Sequence, residues 1–133
     1  MLASLVEKET GAPAERPMIA GVFVNRLRAG MRLQTDPSVI YGLGSRYDGN
    51  LRKADLRRDG PYNTYRRAGL PPTPIALPGR DSLLAATRPA STDALYFVAT
   101  GRGDGRHVFS ATLKAHNAAV RQLVARTRES PPR

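Results

Sequence analysis

The amino-acid sequence predicts an α+β fold, a helix-dominated single domain with one β-hairpin and a long irregular segment that lines a cleft. Apolar residues recur at helical spacing in several stretches, and a strand–turn–strand pattern covers residues 94–109. Glycines and prolines interrupt residues 45–79. A chain of 133 residues can bury one core but not two. We therefore expect one domain over residues 1–126 and a disordered tail over residues 127–133.

The first predicted helix, over residues 2–9, carries an acid in its apolar stripe. Apolar residues lie at offsets 0, 3 and 4, and Glu9 follows at offset 7, near the middle of that face. Burial among apolar neighbours raises the pKa of a carboxyl, and a general acid needs that protonated state near neutral pH. Alternatively, Glu9 turns to solvent or pairs with an arginine such as Arg16.

The other elements follow from periodicity and from residues that begin or end a helix. Gly11 and Gly30 are expected to end the first helix and a second helix over residues 14–29. Asp36 and Pro37 favour a single helical turn over residues 38–41 that ends at Gly42. A short helix over residues 81–87 and a last helix capped by Ser110 or Thr112 complete the list of helices. The predicted inward face of that last helix is Leu113, Asn117, Val120, Leu123 and Val124.

The irregular segment combines turn-forming residues with aromatic side chains, which is typical of a packed loop that lines a site. Amides, hydroxyls and aromatic faces are the groups that bind sugars. The side chains of this kind are Asn25, Gln34, Tyr62, Asn63, Thr64 and Tyr65. Residues 61–65 are equally consistent with a plain turn in which the two tyrosines pack.

Composition excludes several classes of site. The chain has no cysteine and two histidines, so neither a thiolate nor a histidine-rich metal site is expected, and no motif points to a cofactor. The net charge of +10 favours an anionic partner, but the arginines are dispersed and no nucleic-acid-binding motif accompanies them. The longest apolar run covers residues 18–24, whereas a membrane span needs about 20 residues. We therefore expect no nucleic-acid partner and no membrane segment in this chain.

Ordered motifs along the chain resemble the endolytic murein transglycosylase (YceG-like) family. They begin with LASLVEKET at residues 2–10 and continue with AGVFVNRL, LQTDPSVIYG, PYNTY, GLPP, LYFV and HVF. Each motif alone is weak, but they occur in family order to about residue 124. Two positions depart from the family pattern, because Thr73 and Arg106 stand where glycine is usual.

The resemblance implies a lytic transglycosylase without a cofactor that acts on peptidoglycan glycan strands. Such enzymes cut the β-1,4 bond between N-acetylmuramic acid and N-acetylglucosamine and leave a 1,6-anhydro end. One glutamate acts first as acid and then as base, whereas hydrolases generally use two carboxylates. The resemblance assigns this role to Glu9. The implied substrate-binding residues are Asn25, Gln34, Ser38, Tyr41, Tyr62, Asn63 and Tyr65.

The family also sets expectations about context. Its members normally carry an N-terminal membrane helix and a LysM-like subdomain that this sequence lacks, and they act on the periplasmic side of the inner membrane. This chain by itself is expected to be soluble, and cooperation with peptidoglycan synthases is suggested by the family alone. Two alternatives stay open. A muramidase-type hydrolase would need a second carboxylate such as Asp36 or Asp55, and a non-catalytic module would bind glycan or another anionic polymer.

Overall fold

A computed structural model describes residues 1–9 and 12–129 of the chain. Its six helices are α1 (Leu2–Glu9), α2 (Arg16–Arg28), α3 (Asp36–Leu43), α4 (Lys53–Arg57), α5 (Arg80–Thr87) and α6 (Leu113–Glu129). Single 3-10 turns cover Pro13–Glu15 and Gly44–Arg46. The two strands, β1 (Tyr96–Ala99) and β2 (His107–Ser110), pair antiparallel with Phe97 opposite Phe109. The predicted α+β class is confirmed.

The core lies where α1, α2 and α5 pack against one another. Its buried side chains are Leu5, Val6, Ile19, Ala20, Phe23, Leu33, Ile75 and Ala85. The irregular segment joins this core through Ser4, whose hydroxyl accepts a hydrogen bond from the Ile75 amide at 3.1 Å. Burial of these apolar faces is what fixes the short helices, because helices of this length are marginal on their own.

The hairpin packs on α2, and α6 packs on the hairpin. The Phe97 ring meets the Phe23 ring edge to face, with 6.0 Å between centroids. At the preceding position of β1, the Tyr96 ring stacks on the His116 ring of α6, with 5.1 Å between centroids. The hairpin therefore connects the helical core to the last helix.

Most predicted elements are confirmed, with α1 at its predicted bounds and the hairpin at 96–110. The single turn predicted over residues 38–41 is wrong, because α3 begins at Asp36 and runs through Gly42 to Leu43. A β-carbon on Gly42 would lie 3.0 Å from the β-carbon of Tyr62, so this glycine permits a close approach inside the helix. The positive φ of 57° falls on Gly44 instead. The predicted role of Gly11 lies outside the described residues.

The predicted inward face of α6 is partly wrong. Leu113, Asn117 and Val124 are exposed, whereas Val120 and Leu123 are half-buried as predicted. The stack of His116 on Tyr96 sets the rotation of this helix. The Thr112 hydroxyl accepts a hydrogen bond from the Ala115 amide, which confirms the predicted cap. Helix α6 continues through Glu129, three residues past the predicted domain end at residue 126.

Among residues 1–9 and 12–129, every helix is too short or too polar to cross a bilayer.

Candidate active site

Helix α1 places two glutamates in opposite electrostatic environments. The Glu7 carboxylate accepts a hydrogen bond from the Gly79 amide at 2.6 Å and faces Arg16, and these contacts lower its pKa. Glu9 is half-buried, and burial together with the negative charge of Asp36 raises its pKa to about 7. The ion pair of Arg16 is formed with Glu7 and Asp81 rather than with Glu9. Glu9 is therefore the carboxyl of this pair that keeps its proton near neutral pH.

Glu9 lies in the wall of a cavity of about 410 Å³. The cavity is formed where α1 and the first turn of α3 meet the hairpin and α6. Its lining residues are Lys8, Glu9, Arg26, Leu33, Gln34, Asp36, Pro37, Tyr65, Phe97 and His116. Of the eight predicted site residues, Glu9, Gln34 and Tyr65 line this cavity together.

A second cavity, of about 300 Å³, also has Glu9 in its wall. It is lined by the hairpin turn, residues 99–101 and 103–107. Among the described residues, Glu9 is the one that lines both spaces. Such an arrangement can accommodate a linear polymer on both sides of one reacting bond.

Asp36 and Tyr65 form a polar pair beside Glu9. The Tyr65 hydroxyl donates a 2.5 Å hydrogen bond to Oδ1 of Asp36, and burial together with this bond raises the pKa of Tyr65 above its usual range. Tyr65 therefore stays a neutral donor. The pair holds one carboxylate in a fixed position in the same cavity as Glu9.

Gln34 is held in an unusual backbone conformation at the edge of this cavity. Its φ of 55° is the only positive value at a non-glycine residue in the described part of the chain. The Gln34 amide donates to the carbonyl of Thr64 at 3.3 Å, and its side-chain oxygen lies 3.4 Å from Nη1 of Arg26. Such backbone strain costs about 1–3 kcal/mol and is commonly found at functional sites. The side chain is exposed and so free to contact a ligand.

The other five predicted residues lie outside the lining of this cavity. Nδ2 of Asn25 donates to the carbonyls of Thr92 and Ala94 at 2.7 and 2.9 Å, which ties α2 to the segment before β1. Asn63 is buried, and its Nδ2 donates to the carbonyls of Leu56, in α4, and Arg58, just after it. Ser38 is fully buried, with its hydroxyl 3.0 Å from that of Thr64. A part in substrate binding stays a prediction for these three residues.

Tyr41 and Tyr62 form an aromatic pair on a neighbouring surface, with ring centroids 4.9 Å apart. Tyr41 is exposed and borders a separate cavity of about 360 Å³ that shares Lys8 and Pro37 with the first. The Tyr62 hydroxyl lies 2.7 Å from the Thr73 hydroxyl. Thr73, which stands where the family resemblance predicts glycine, thus gives Tyr62 a hydrogen-bond partner. Sugar binding by these tyrosines stays a prediction.

The sequence carries a signal for Arg26 of the same kind as the one for Glu9. Arg26 stands at offset 7 from Ile19 on the apolar stripe of α2, just as Glu9 stands at offset 7 from Leu2 on α1. Its side chain is buried and reaches the cavity. His116 also lines the cavity, although it lies outside the predicted inward face of α6. Across residues 1–9 and 12–129, no cluster of potential metal ligands occurs.

Comparisons with known proteins agree on one family. The YceG-like family model matches residues 1–122. A Bacillus subtilis protein named endolytic murein transglycosylase is 48% identical over 128 residues, which cover 96% of this chain and 35% of that protein. A Streptococcus pneumoniae (strain D39) protein of the same name is 40% identical over 92% of this chain and 23% of its own length. This chain thus spans about a third or less of these relatives.

A solved structure gives the same result for the fold. The crystal structure of a yceG-like protein from Listeria monocytogenes superimposes with a TM-score of 0.82 at 47% sequence identity. The match covers 89% of this chain and 38% of that one.

Proposed function

This chain belongs to the YceG-like family, and we propose that it is the catalytic part of a lytic transglycosylase that cuts peptidoglycan strands internally. The bond cleaved is the β-1,4 linkage between N-acetylmuramic acid and N-acetylglucosamine. One observation carries the proposal: a half-buried carboxyl with a pKa of about 7 borders two open spaces. The names of the relatives from Bacillus subtilis and Streptococcus pneumoniae support it.

Glu9 can perform both proton transfers of this reaction. As a protonated acid, it donates its proton to the glycosidic oxygen while the bond from that oxygen to C1 of the muramyl residue breaks. The resulting carboxylate then takes the proton of the C6 hydroxyl, whose oxygen attacks C1 and closes the 1,6-anhydro ring. Glu9 ends in its starting state, and no water is consumed. A pKa near the working pH suits a group that must both give and accept a proton.

Gln34, Tyr65 and Asp36 are the residues that we place around the reacting sugars. Gln34 offers an amide to sugar hydroxyls, and the face of Tyr65 offers a surface for sugar C–H groups. The Asp36 carboxylate raises the pKa of Glu9 and places negative charge near the carbon that becomes positive when the bond breaks. The two open spaces that border Glu9 support cleavage within a strand rather than at its end.

Asp36 also keeps a second candidate function open, a muramidase-type hydrolase. Hydrolysis needs a second carboxylate to activate water or to act as nucleophile, and Asp36 lies in the same cavity as Glu9. Asp55, the other carboxylate considered, borders a different cavity and accepts a hydrogen bond from the Arg52 amide at 2.9 Å. The position of Asp55 does not support a part in the reaction.

The products of digestion separate these functions. Purified glycan strands are incubated with the chain, and mass spectrometry identifies the new ends. Anhydro ends, lighter by one water than reducing ends, support transglycosylation, whereas reducing ends support the hydrolase. Binding without new ends of either kind would indicate a non-catalytic module and overturn the proposal.

A matched pair of variants tests the assignment of Glu9. Glu9→Gln keeps the size of the side chain but cannot donate a proton as an acid, so we expect the anhydro ends to disappear. Glu7→Gln makes the same chemical change two residues away, where the carboxylate holds the start of α5 through Gly79. We expect Glu7→Gln to retain activity. Loss of activity in both variants, or in neither, would contradict the assignment.

The proposed substrate also locates the working protein. Peptidoglycan lies outside the cytoplasmic membrane, so we infer that this chain acts there. Cooperation with peptidoglycan synthases stays a prediction of the family resemblance.

A further inference from the structure

A buried arginine in the wall of the Glu9 cavity has no carboxylate partner among the residues that the structure describes. Arg26 is 8% exposed. Its Nε donates to the carbonyl of Leu95 at 2.6 Å, and its Nη1 donates to the carbonyl of Arg32 at 2.8 Å. Within the described ranges 1–9 and 12–129, no aspartate or glutamate forms an ion pair with it. Buried charges in proteins are ordinarily paired, so this one is an exception that needs an explanation.

The contacts that the described residues make with Arg26 fix its orientation and leave one of its nitrogens without a partner. The two backbone carbonyls hold Nε and Nη1, and the guanidinium carbon lies 5.1 Å from the centroid of the Tyr96 ring. In the described part of the chain, Nη2 has no hydrogen-bond partner. Since Arg26 lines the cavity, Nη2 is the donor that remains for a molecule bound there.

A second unpartnered polar atom lies beside this arginine. The His116 ring stacks on the Tyr96 ring, which Arg26 also contacts, and His116 lines the same cavity. Its Nδ1 is buried and has no hydrogen-bond partner among the residues that the structure describes. Buried polar atoms are nearly always hydrogen-bonded, so this nitrogen is a second contact that the site offers to a polar group of a bound molecule.

We propose that Arg26 and His116 form a carboxylate subsite, so that the cleft prefers strands with free carboxylates to the same strands in amidated form. This proposal rests on the proposed function. A guanidinium with its position fixed recognises carboxylates through short, charge-assisted hydrogen bonds. A muramyl strand offers carboxylates from two sources. One is the lactyl group of a muramyl residue that has lost its peptide, and the other is the stem peptide.

Modified ligands test the subsite without altering the fold. Binding to the full chain carrying Glu9→Gln is measured by calorimetry, which separates binding from cleavage. The ligands are strands stripped of peptide, strands that bear stems, and both after conversion of their carboxylates to amides. We expect amidation to weaken binding about tenfold or more, the value of one charge-assisted hydrogen bond. Amidation that changes Kd less than twofold for both strands would overturn the proposal.

The same titrations identify the source of the carboxylate. A large effect of amidation on the stripped strands assigns the subsite to the lactyl group. An effect confined to stem-bearing strands assigns it to the peptide. Either result supports a carboxylate subsite.

Protein variants then locate the effect. His116→Phe keeps a ring to stack on Tyr96 but removes both nitrogens, and we expect it to reduce the preference for the acidic strand severalfold. Arg32→Gln is the control, because it removes one positive charge from an exposed side chain outside the cavity. An equal loss in both variants would show a general charge effect and would overturn the subsite. Arg26→Gln, checked for folding by circular dichroism, should abolish the preference where the fold is retained.

The outcomes also separate this proposal from the proposed function. A wild-type chain that prefers acidic strands but forms no anhydro ends would refute the reaction and leave the subsite standing. A chain that forms anhydro ends but binds amidated and acidic strands with equal affinity would refute the subsite alone.

Discussion

Replacement of Glu9 by glutamine should change the pH dependence of folding, not only activity. The structure raises the pKa of Glu9 from 4.5 to about 7. Between these two values, the native chain holds a proton on Glu9 that the unfolded chain has released. Stability must therefore fall as pH rises through this window, because the unfolded state binds fewer protons there.

The magnitude follows from the same two values. One pKa unit corresponds to about 1.4 kcal/mol, so the free energy of unfolding of the wild type should lose about 3 kcal/mol from this group. The loss begins near pH 4.5 and is complete slightly above pH 7. Below pH 4.5 both states are protonated, and the full stabilisation relative to high pH is present. Glu9→Gln has no proton to lose and should lack this part of the pH dependence.

Urea unfolding followed by circular dichroism at pH 4 and pH 8 measures this difference. The free energy of unfolding of Glu9→Gln minus that of the wild type should rise by about 3 kcal/mol when the pH is raised from 4 to 8. Glu7→Gln should behave in the opposite direction, since the pKa of Glu7 is lowered and its stabilisation is lost as pH falls. A wild type and a Glu9→Gln variant with parallel pH profiles would refute the raised pKa, and with it the argument for an acid at this position.

Three further predictions concern neighbouring residues. Asp36→Asn should lower the pKa of Glu9, so the fall of activity above pH 7 should begin at a lower pH. The change in pKa should be smaller than the change that burial causes, because the Asp36 charge is the lesser cause of the raised pKa of Glu9. A pH–rate profile on glycan strands measures the shift. Gln34→Gly should be about 1 kcal/mol more stable than Gln34→Ala in urea unfolding, because φ is 55° and only glycine adopts it without strain. Asn25→Ala should lower the free energy of unfolding by about 1–3 kcal/mol, because two carbonyls lose their donor; an unchanged melting temperature would contradict the structural role of Asn25.

The sequence predicts elements well where local signals decide them. Helix α1 and the hairpin follow from periodicity and from the glycine-rich turn, and both lie where they were expected. Helix α3 was predicted too short because Gly42 resembles a helix end in the sequence. In the structure, Gly42 gives room to Tyr62, a residue 20 positions away along the chain. Such an approach leaves no local signal.

The candidate site shows the same limit. Glu9 is recognisable because an acid on an apolar stripe is an anomaly within one helix. Residue type alone predicts Asn25 and Asn63 as sugar ligands, which stays a prediction, but it does not indicate that both side chains donate to backbone carbonyls in the fold. For Asn25 those carbonyls lie 67 and 69 positions away. Residue type indicates what a side chain can bond, and only the fold decides which partner reaches it first.

The two charged residues on the apolar stripes of α1 and α2 explain how the acid keeps its proton. Arg26 and Glu9 line one cavity, and a direct ion pair between them would lower the pKa of Glu9 and remove the acid. The causes that set this pKa are burial and Asp36, both of which raise it. Arg26 is instead bound by the carbonyls of Leu95 and Arg32, so its charge is held by backbone. In the described part of the chain, the cleft thereby keeps in one cavity a neutral acid and a cation without a carboxylate partner. This arrangement suits a substrate that carries both a glycosidic oxygen to protonate and a carboxylate to bind.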